Sequence, residues 1–239
     1  MDITYDGKLL TRRFVAQDVE RPIPPMAVRV ESLDVADGSF PRGANLDPSN
    51  ITLRLVATNV RGDARRTAER ELAALLDARE PRKLVFSDDG GLYYMAQPSG
   101  SRVAEILPDA VSIAVEFYLP DPVMYGSTKT ASLSTGASSI TVGGTYPARC
   151  KVTSSNATKS SSNLWGVRLD NGKYMRVPHE LGSAVNVTVD TEKRTARVNG
   201  STSMITLDSD WLELSPGSHS VKIDQGGGAA TLQWTERWL

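Results

Sequence analysis

The sequence predicts a mainly β protein in two parts, with one α-helix in the first part. Three observations carry that prediction. Several apolar runs have a period of two, one segment alone has helical period, and the composition changes near Gly126.

The elements follow in chain order. In ITLRLVAT, Ile51, Leu53 and Leu55 share one face while Thr52 and Arg54 point the other way, as in a half-buried strand. GDARRTAERELAALLDARE then has helical spacing. Ala64, Ala68, Leu72, Leu75 and Leu76 make a stripe that faces a core, which leaves Arg65, Arg66, Glu69 and Arg70 to solvent. Asp63 is the expected N-cap and Pro81 the expected stop. LVFSDDGGLYYMA, Leu84 to Ala96, sets two apolar runs around Asp88, Asp89, Gly90 and Gly91. VSIAVEFYL places Val111, Ile113, Val115, Phe117 and Leu119 on one face.

Beyond Gly126 comes GSTKTASLSTGASSITVGGTYP, a stretch rich in Ser, Thr and Gly that reads as a linker into a second domain. The expected domains are 1–126 and 127–239, with the final strand, 230–239, a candidate to rejoin the first. The second part reads as hairpins. VRLDNGKYMRV turns at Asn171-Gly172, where both positions tolerate positive φ. VNVTVDTEKRTARVNG turns at Glu192-Lys193, and DWLELSPGSHSVKI at Pro216-Gly217. The closing TLQWTERWL puts Leu232, Trp234 and Trp238 on one face, with Thr231, Gln233, Thr235 and Arg237 opposite. Many short strands with regular turns predict a β-sandwich.

Composition narrows the functions. Hydrophobic residues are 40% of the 239, enough for real cores, and the net charge is -1. That balance argues against capture of nucleic acid or anionic lipid by the whole chain. Residues 1–126 hold 15 Lys+Arg against 19 Asp+Glu, a net of -4, and residues 127–239 hold 12 against 9, a net of +3. No apolar run approaches a bilayer span. The opening MDITYDGKLLTRRF lacks a basic and then apolar leader, so no secretory signal is expected. Cys150 is the single cysteine, which excludes an intrachain disulfide and a cysteine-rich zinc site. His179 and His219 are far apart in sequence and are expected on the surface or in loops.

Asp88 and Asp89 pose the main functional question: an acidic catalytic or metal-binding loop, or a hairpin tip. Paired carboxylates in general acid–base work stand apart in different environments, whereas neighbours on a strand point to opposite faces. Asp and Gly are preferred turn residues, so Asp88, Asp89, Gly90 and Gly91 are assigned to a hairpin tip. No G-x-S-x-G elbow, P-loop or H-E-x-x-H occurs. GGTYP and QGGGAA are read as turns. No catalytic residue, metal or cofactor is assigned. Trp165, Tyr174, Trp211, Trp234 and Trp238 are weighed as a sugar-stacking platform and as core or interface aromatics; core is preferred, with Trp234 and Trp238 on the closing strand.

In this order, the pieces resemble the distal tail proteins of long-tailed, siphovirus-type bacteriophages of Gram-positive hosts. The ordered set begins with RGANLDPSNITLRL (Arg42–Leu55), the charged helix ending LAALLD, and EPRKLVFSDDGGLYYMA. It continues with VSIAVEFYLPDPVMYG (Val111–Gly126), DTEKRTARVNG, LDSDWLELSPGSHSVKI and TLQWTERWL. The resemblance implies an N-terminal β-sandwich-like ring domain with one helix and a β-hairpin, and a C-terminal galectin-like β-sandwich. It implies a non-enzymatic hexameric ring at the tail tip, assembled in the host cytoplasm. Expected partners are further copies of itself, the tail tube protein, a tail-tip or tail-associated lysin protein and a receptor-binding protein, while DNA passes through without specific binding. Larger members insert carbohydrate-binding modules, for which this chain has no spare length. The alternative reading is a carbohydrate-binding β-sandwich protein.

Overall fold

The computed structural model describes residues 1–21, 23, 26–32, 39–180 and 183–239. The chain divides into two compact units, Met1–Tyr125 with Leu239, and Gly126–Trp238. Both are built almost wholly from antiparallel strands.

The first unit opens with β1 (Ile3–Tyr5), β2 (Lys8–Leu9) and β3 (Val15–Glu20). Next come β4 (Met26–Ser32), β5 (Ser39–Leu46) and β6 (Ser49–Thr58). The helix α1 (Asp63–Leu75) leads to β7 (Arg82–Phe86), β8 (Tyr93–Ile106) and β9 (Ala110–Leu119). One sheet has the order β3-β6-β9-β8, and the other β2-β1-β7-β8. The long β8 belongs to both. Its start, Tyr93 to Ala96, pairs with β7, and its remainder, Gln97 to Ile106, pairs with β9.

Period two explains the core between these sheets. Ile51, Leu53 and Leu55 on β6 and Val111, Ile113, Val115, Phe117 and Leu119 on β9 are buried against Ile3, Tyr5, Leu84 and Phe86. The Tyr5 and Phe117 rings lie 5.0 Å apart, tilted, and burial pushes the Tyr5 hydroxyl up to about 12. Helix α1 adds Ala68 and Leu72 to this core, with Leu75 and Leu76 half-buried at its margin. Its start differs from expectation. Gly62, at φ 51°, is the N-cap, and Asp63 begins the helix, where a carboxylate favours the positive end of the helix dipole. The helix stops at Leu75, well before Pro81. Ala64 is exposed, and Arg65 and Glu69, expected in open solvent, form a half-buried pair at 3.5 Å.

The second unit comprises β10 (Met124–Leu133), whose first residues belong to the first unit, then β11 (Ser138–Val142) and β12 (Ala148–Ala157). Strands β13 (Leu164–Leu169), β14 (Tyr174–Pro178), β15 (Val185–Asp190), β16 (Thr195–Val198) and β17 (Ser201–Ser203) follow. The chain ends with β18 (Glu213–Leu214), β19 (Gly217–Gln225) and β20 (Ala230–Trp238). One sheet has the order β17-β16-β15-β12-β20-β10, the other β11-β19-β13-β14. Alternating residues such as Val152, Val187, Val189, Leu232, Val167, Val177 and Ile223 fill the space between them.

The turns follow their local chemistry. Of the two residues Asn171 and Gly172, only Gly172 is left-handed, at φ 85°. Leu169 N–H donates to Lys173 and Gly172 N–H to Leu169. The β13–β14 loop is therefore Asp170-Asn171-Gly172, the three-residue kind with glycine in the left-handed position. The β15–β16 turn is held by Asp190 Oδ1, which accepts from the N–H groups of Glu192 and Lys193.

Candidate functional site

Residues 87–91 form the turn between β7 and β8, so Asp88, Asp89, Gly90 and Gly91 sit together at the end of that hairpin. Gly90 and Gly91 have φ of 60° and 91°, which side chains rarely adopt. The carboxylates, however, are not free turn residues. Arg21 donates from one terminal nitrogen to Asp89 Oδ1 at 2.7 Å and from the other to both oxygens of Asp88 at 2.8 Å. Its guanidinium carbon also lies 4.1 Å from the centre of the Phe86 ring. The Arg21 hydrogen bond holds the Asp88 carboxyl below its ordinary range. Sequence reading missed this clasp, since its partners lie 67 and 68 residues apart.

The double variant Asp88→Asn/Asp89→Asn is expected to fold and to lose about 1 kcal/mol, since the guanidinium keeps acceptors but no opposite charge. That exceeds the effect expected of exposed turn residues. The pH sign follows from the lowered Asp88 value. The stabilisation is present above the ordinary carboxylate pKa, about 4, and is lost as pH falls through the lower folded value. Denaturant titration of both proteins at neutral and acidic pH checks this, with the difference between them shrinking in acid.

The aromatic candidates divide by burial. Trp165 is 1% exposed, with Nε1 donating to Gly227 C=O at 3.2 Å, and Trp234 is 5% exposed. Trp211 is half-buried against the same core and Trp238 is half-buried on β20. Tyr174 is half-buried and tied into a polar network. Its hydroxyl donates to Asp208 at 2.8 Å, and Arg176, itself paired with Asp224 at 2.7 Å, stacks 3.8 Å from its ring centre. Trp165 and Trp234 are therefore core residues, and Arg176 covers one face of Tyr174. On β20 the alternation breaks after Trp234, because Arg237, expected outside, is buried and donates to Pro147 C=O at 3.1 Å. The neighbouring Thr145 and Tyr146 N–H groups close onto the Arg237 carbonyl.

The histidines differ from the surface reading. His179 is 1% exposed with Nε2 3.3 Å from Ala157 C=O, and His219 lies against Asp170 at 3.3 Å and Ser215 C=O at 2.8 Å. Cys150 is buried, and desolvation pushes its thiol up to about 12. The native chain is therefore expected to leave Cys150 unmodified by iodoacetamide at pH 8, whereas the denatured chain alkylates fully. Mass spectrometry of both samples checks it.

Two features of the first unit stand out as unfinished surfaces. Among the described residues, strands β4 and β5 pair only with each other, as an arm of two strands. Met26, Val28 and Val30 lie on one face of that arm and are 65%, 57% and 61% exposed. An isolated two-stranded hairpin with an uncovered apolar face is marginal in water, so such a face calls for a partner. The four-stranded sheet is also open at both ends. Among the described residues, β3 pairs only with β6, and Gln97 to Ile106 of β8 pairs only with β9. Val15 on one edge and Val103 and Ile106 on the other are 65%, 45% and 57% exposed. The outer face of this sheet is polar, a groove of about 580 Å³ lined by Asp18, Glu20, Arg54, Arg102 and Glu116 among others.

Both units are thus β-sandwich-like, and among the described residues the first carries a two-stranded arm and open sheet edges. Comparison with known proteins gives the class. Residues 7–119 match the phage tail protein RIFT-related domain, and residues 143–238 match the siphovirus-type tail component, C-terminal domain. The distal tail protein of Bacillus phage SPP1 is 24% identical over 247 residues, covering 98% of this chain and 94% of that protein. The crystal structure of SPP1 Dit superposes with a TM-score of 0.80 at 19% identity, covering 100% of this chain and 99% of that one. The chain belongs to the distal tail proteins of phages that infect Gram-positive bacteria, and is a structural protein of the virion tail.

Proposed function

We propose that this protein is the hub of a phage tail tip: a hexameric ring that joins the tail tube to the host-adsorption apparatus and lets DNA pass. The SPP1 relative is described as a paradigm of hub adsorption apparatus in Gram-positive infecting phages. The observation that carries the reading to this chain is the four-stranded sheet of the first unit, open at β3 and at β8. An edge of one copy laid on the opposite edge of the next is a heterologous contact, and such contacts make a ring when the rotation closes. The β4–β5 arm supplies the second contact, its apolar face covered by the neighbouring copy. On this reading the ring contacts lie in residues 1–126 and the second domain, 127–239, stands outside as the platform for tail-tip partners.

The partners on this reading are the tail tube protein, a tail-tip or tail-associated lysin protein and a receptor-binding protein, joined during assembly in the host cytoplasm. The first 126 residues carry a net -4. A ring of that sign repels DNA, so the genome slides through without sticking. Light scattering and negative-stain images of the purified full chain test the proposal. Closed six-fold rings with the first units innermost are expected. A strict monomer at high concentration, even with the tail tube protein added, or a ring held by the second units alone, overturns it.

A further inference from the structure

We propose that Arg21 is the anchor of the β4–β5 arm: it pins the chain to the 87–91 turn just before the arm leaves the body, and so holds the arm ready for a second copy. The readiness for a second copy rests on the ring reading above; the pinning does not.

Among the described residues, the arm has no sheet hydrogen bonds to the body to aim it, since β4 and β5 pair only with each other. Its direction must be set at its two roots. The far root is short and firmly seated: β5 ends at Leu46, β6 begins at Ser49, and Ser49 is already in register with Leu119 of β9. The near root is longer. Strand β3 ends at Glu20, paired with Thr52, and β4 begins only at Met26. Arg21 is the first residue of that longer root.

Its side chain is gripped on several sides. Asp89 and Asp88 hold the two terminal nitrogens, the Phe86 ring covers the guanidinium, and Met1 Sδ lies 3.3 Å from the nitrogen that faces Asp88. A planar group held in its plane by two carboxylates and covered by a ring has little freedom left, and a bidentate grip is geometrically specific in a way a single charge pair is not. The clasp also spares assembly an entropic cost, since an arm already ordered loses less freedom on docking than one free to swing. Asp88 and Asp89 thereby gain a role that neither catalysis nor metal binding would give them: they are the receiver for the anchor.

The test uses the full chain, with Arg21→Ala, Arg21→Lys and the double variant Asp88→Asn/Asp89→Asn. Two readouts are taken: the rate of limited proteolysis within residues 26–46 in dilute, unassembled protein, and the concentration at which half the chains are in rings. Arg21→Ala is expected to keep the wild-type far-ultraviolet spectrum, to be cut within the arm several-fold faster, and to need several-fold more protein to assemble. Arg21→Lys recovers only part of both, because an ammonium cannot bridge two carboxylates and stack at once. A folded Arg21→Ala cut at the wild-type rate overturns the anchor. Faster cutting with unchanged assembly keeps the anchor and overturns its role in docking. If the wild-type chain forms no ring, the ring reading fails and the proteolysis rates still decide the anchor. If Arg21→Ala does not fold, the double Asn variant decides it by the same two readouts.

Discussion

The Trp165→Ala variant is expected to lose about 3–5 kcal/mol of stability in the second unit, which is the usual cost of emptying a buried tryptophan site. Trp165 is among the largest fully buried side chains of the protein. It packs in the sandwich core with Val167, Val177 and Ile223, and its indole N–H satisfies the Gly227 carbonyl. Truncation therefore leaves a cavity and removes one of the two hydrogen bonds to the Gly227 carbonyl, which keeps the Thr158 N–H as a donor. For a unit of this size the midpoint should fall on the order of 15 °C. The first unit, whose core shares none of these residues, should melt as before. Calorimetry with separate near-ultraviolet monitoring checks this. An unchanged second transition would mean that Trp165 does not hold the core. Loss of glycan binding in a fully stable variant would instead revive the stacking platform.

The second large effect falls on assembly. Replacing Met26, Val28 and Val30 together by threonine keeps the β propensity of the arm but removes its apolar face. Each of these side chains, if covered by a neighbour, contributes about 1.5–3 kcal/mol to docking. Removing all three should weaken ring formation by about a thousand-fold or more. The body should stay folded, because exposed substitutions usually shift stability by about 0.5 kcal/mol or less. Sedimentation of the variant at concentrations where the parent forms rings gives the answer. Intact rings would remove the arm from the assembly surface.

Much of the sheet framework was legible because its signals are local. The alternation in ITLRLVAT and VSIAVEFYL marked β6 and β9, and their inward residues form the first core. Helix α1 was legible from its stripe, although its cap was misassigned by one residue, since only backbone geometry distinguishes Gly62 as cap from Asp63 as first helical residue. What was not legible depends on contacts across long stretches of chain. Arg21 meets Asp88 and Asp89 because β3, paired with β6, ends at Glu20 and leaves the next residue beside the β7–β8 turn. Arg237 is buried because the 144–147 segment folds over it, which overrides the period-two pattern of β20. His179 is buried near Ala157 and Asn163, which a lone histidine in a sequence cannot announce.

The open edges also bear on the interval before assembly. On the ring proposal, every copy waits in solution with the edges of β3 and β8 unpaired among the described residues, a state that invites promiscuous pairing and fibre growth. Both edges are irregular. Register shifts fall between Ala16 and Asp18 where β3 meets β6, and at Pro98/Gly100 and Val103/Glu105 where β8 meets β9. A bulge twists the strand and breaks the even spacing of its hydrogen-bonding groups. A stray flat strand therefore finds few groups in step along either edge, while a strand with the complementary kink finds them all. The same irregularities that make these edges poor templates for aggregation would make them selective for their own kind.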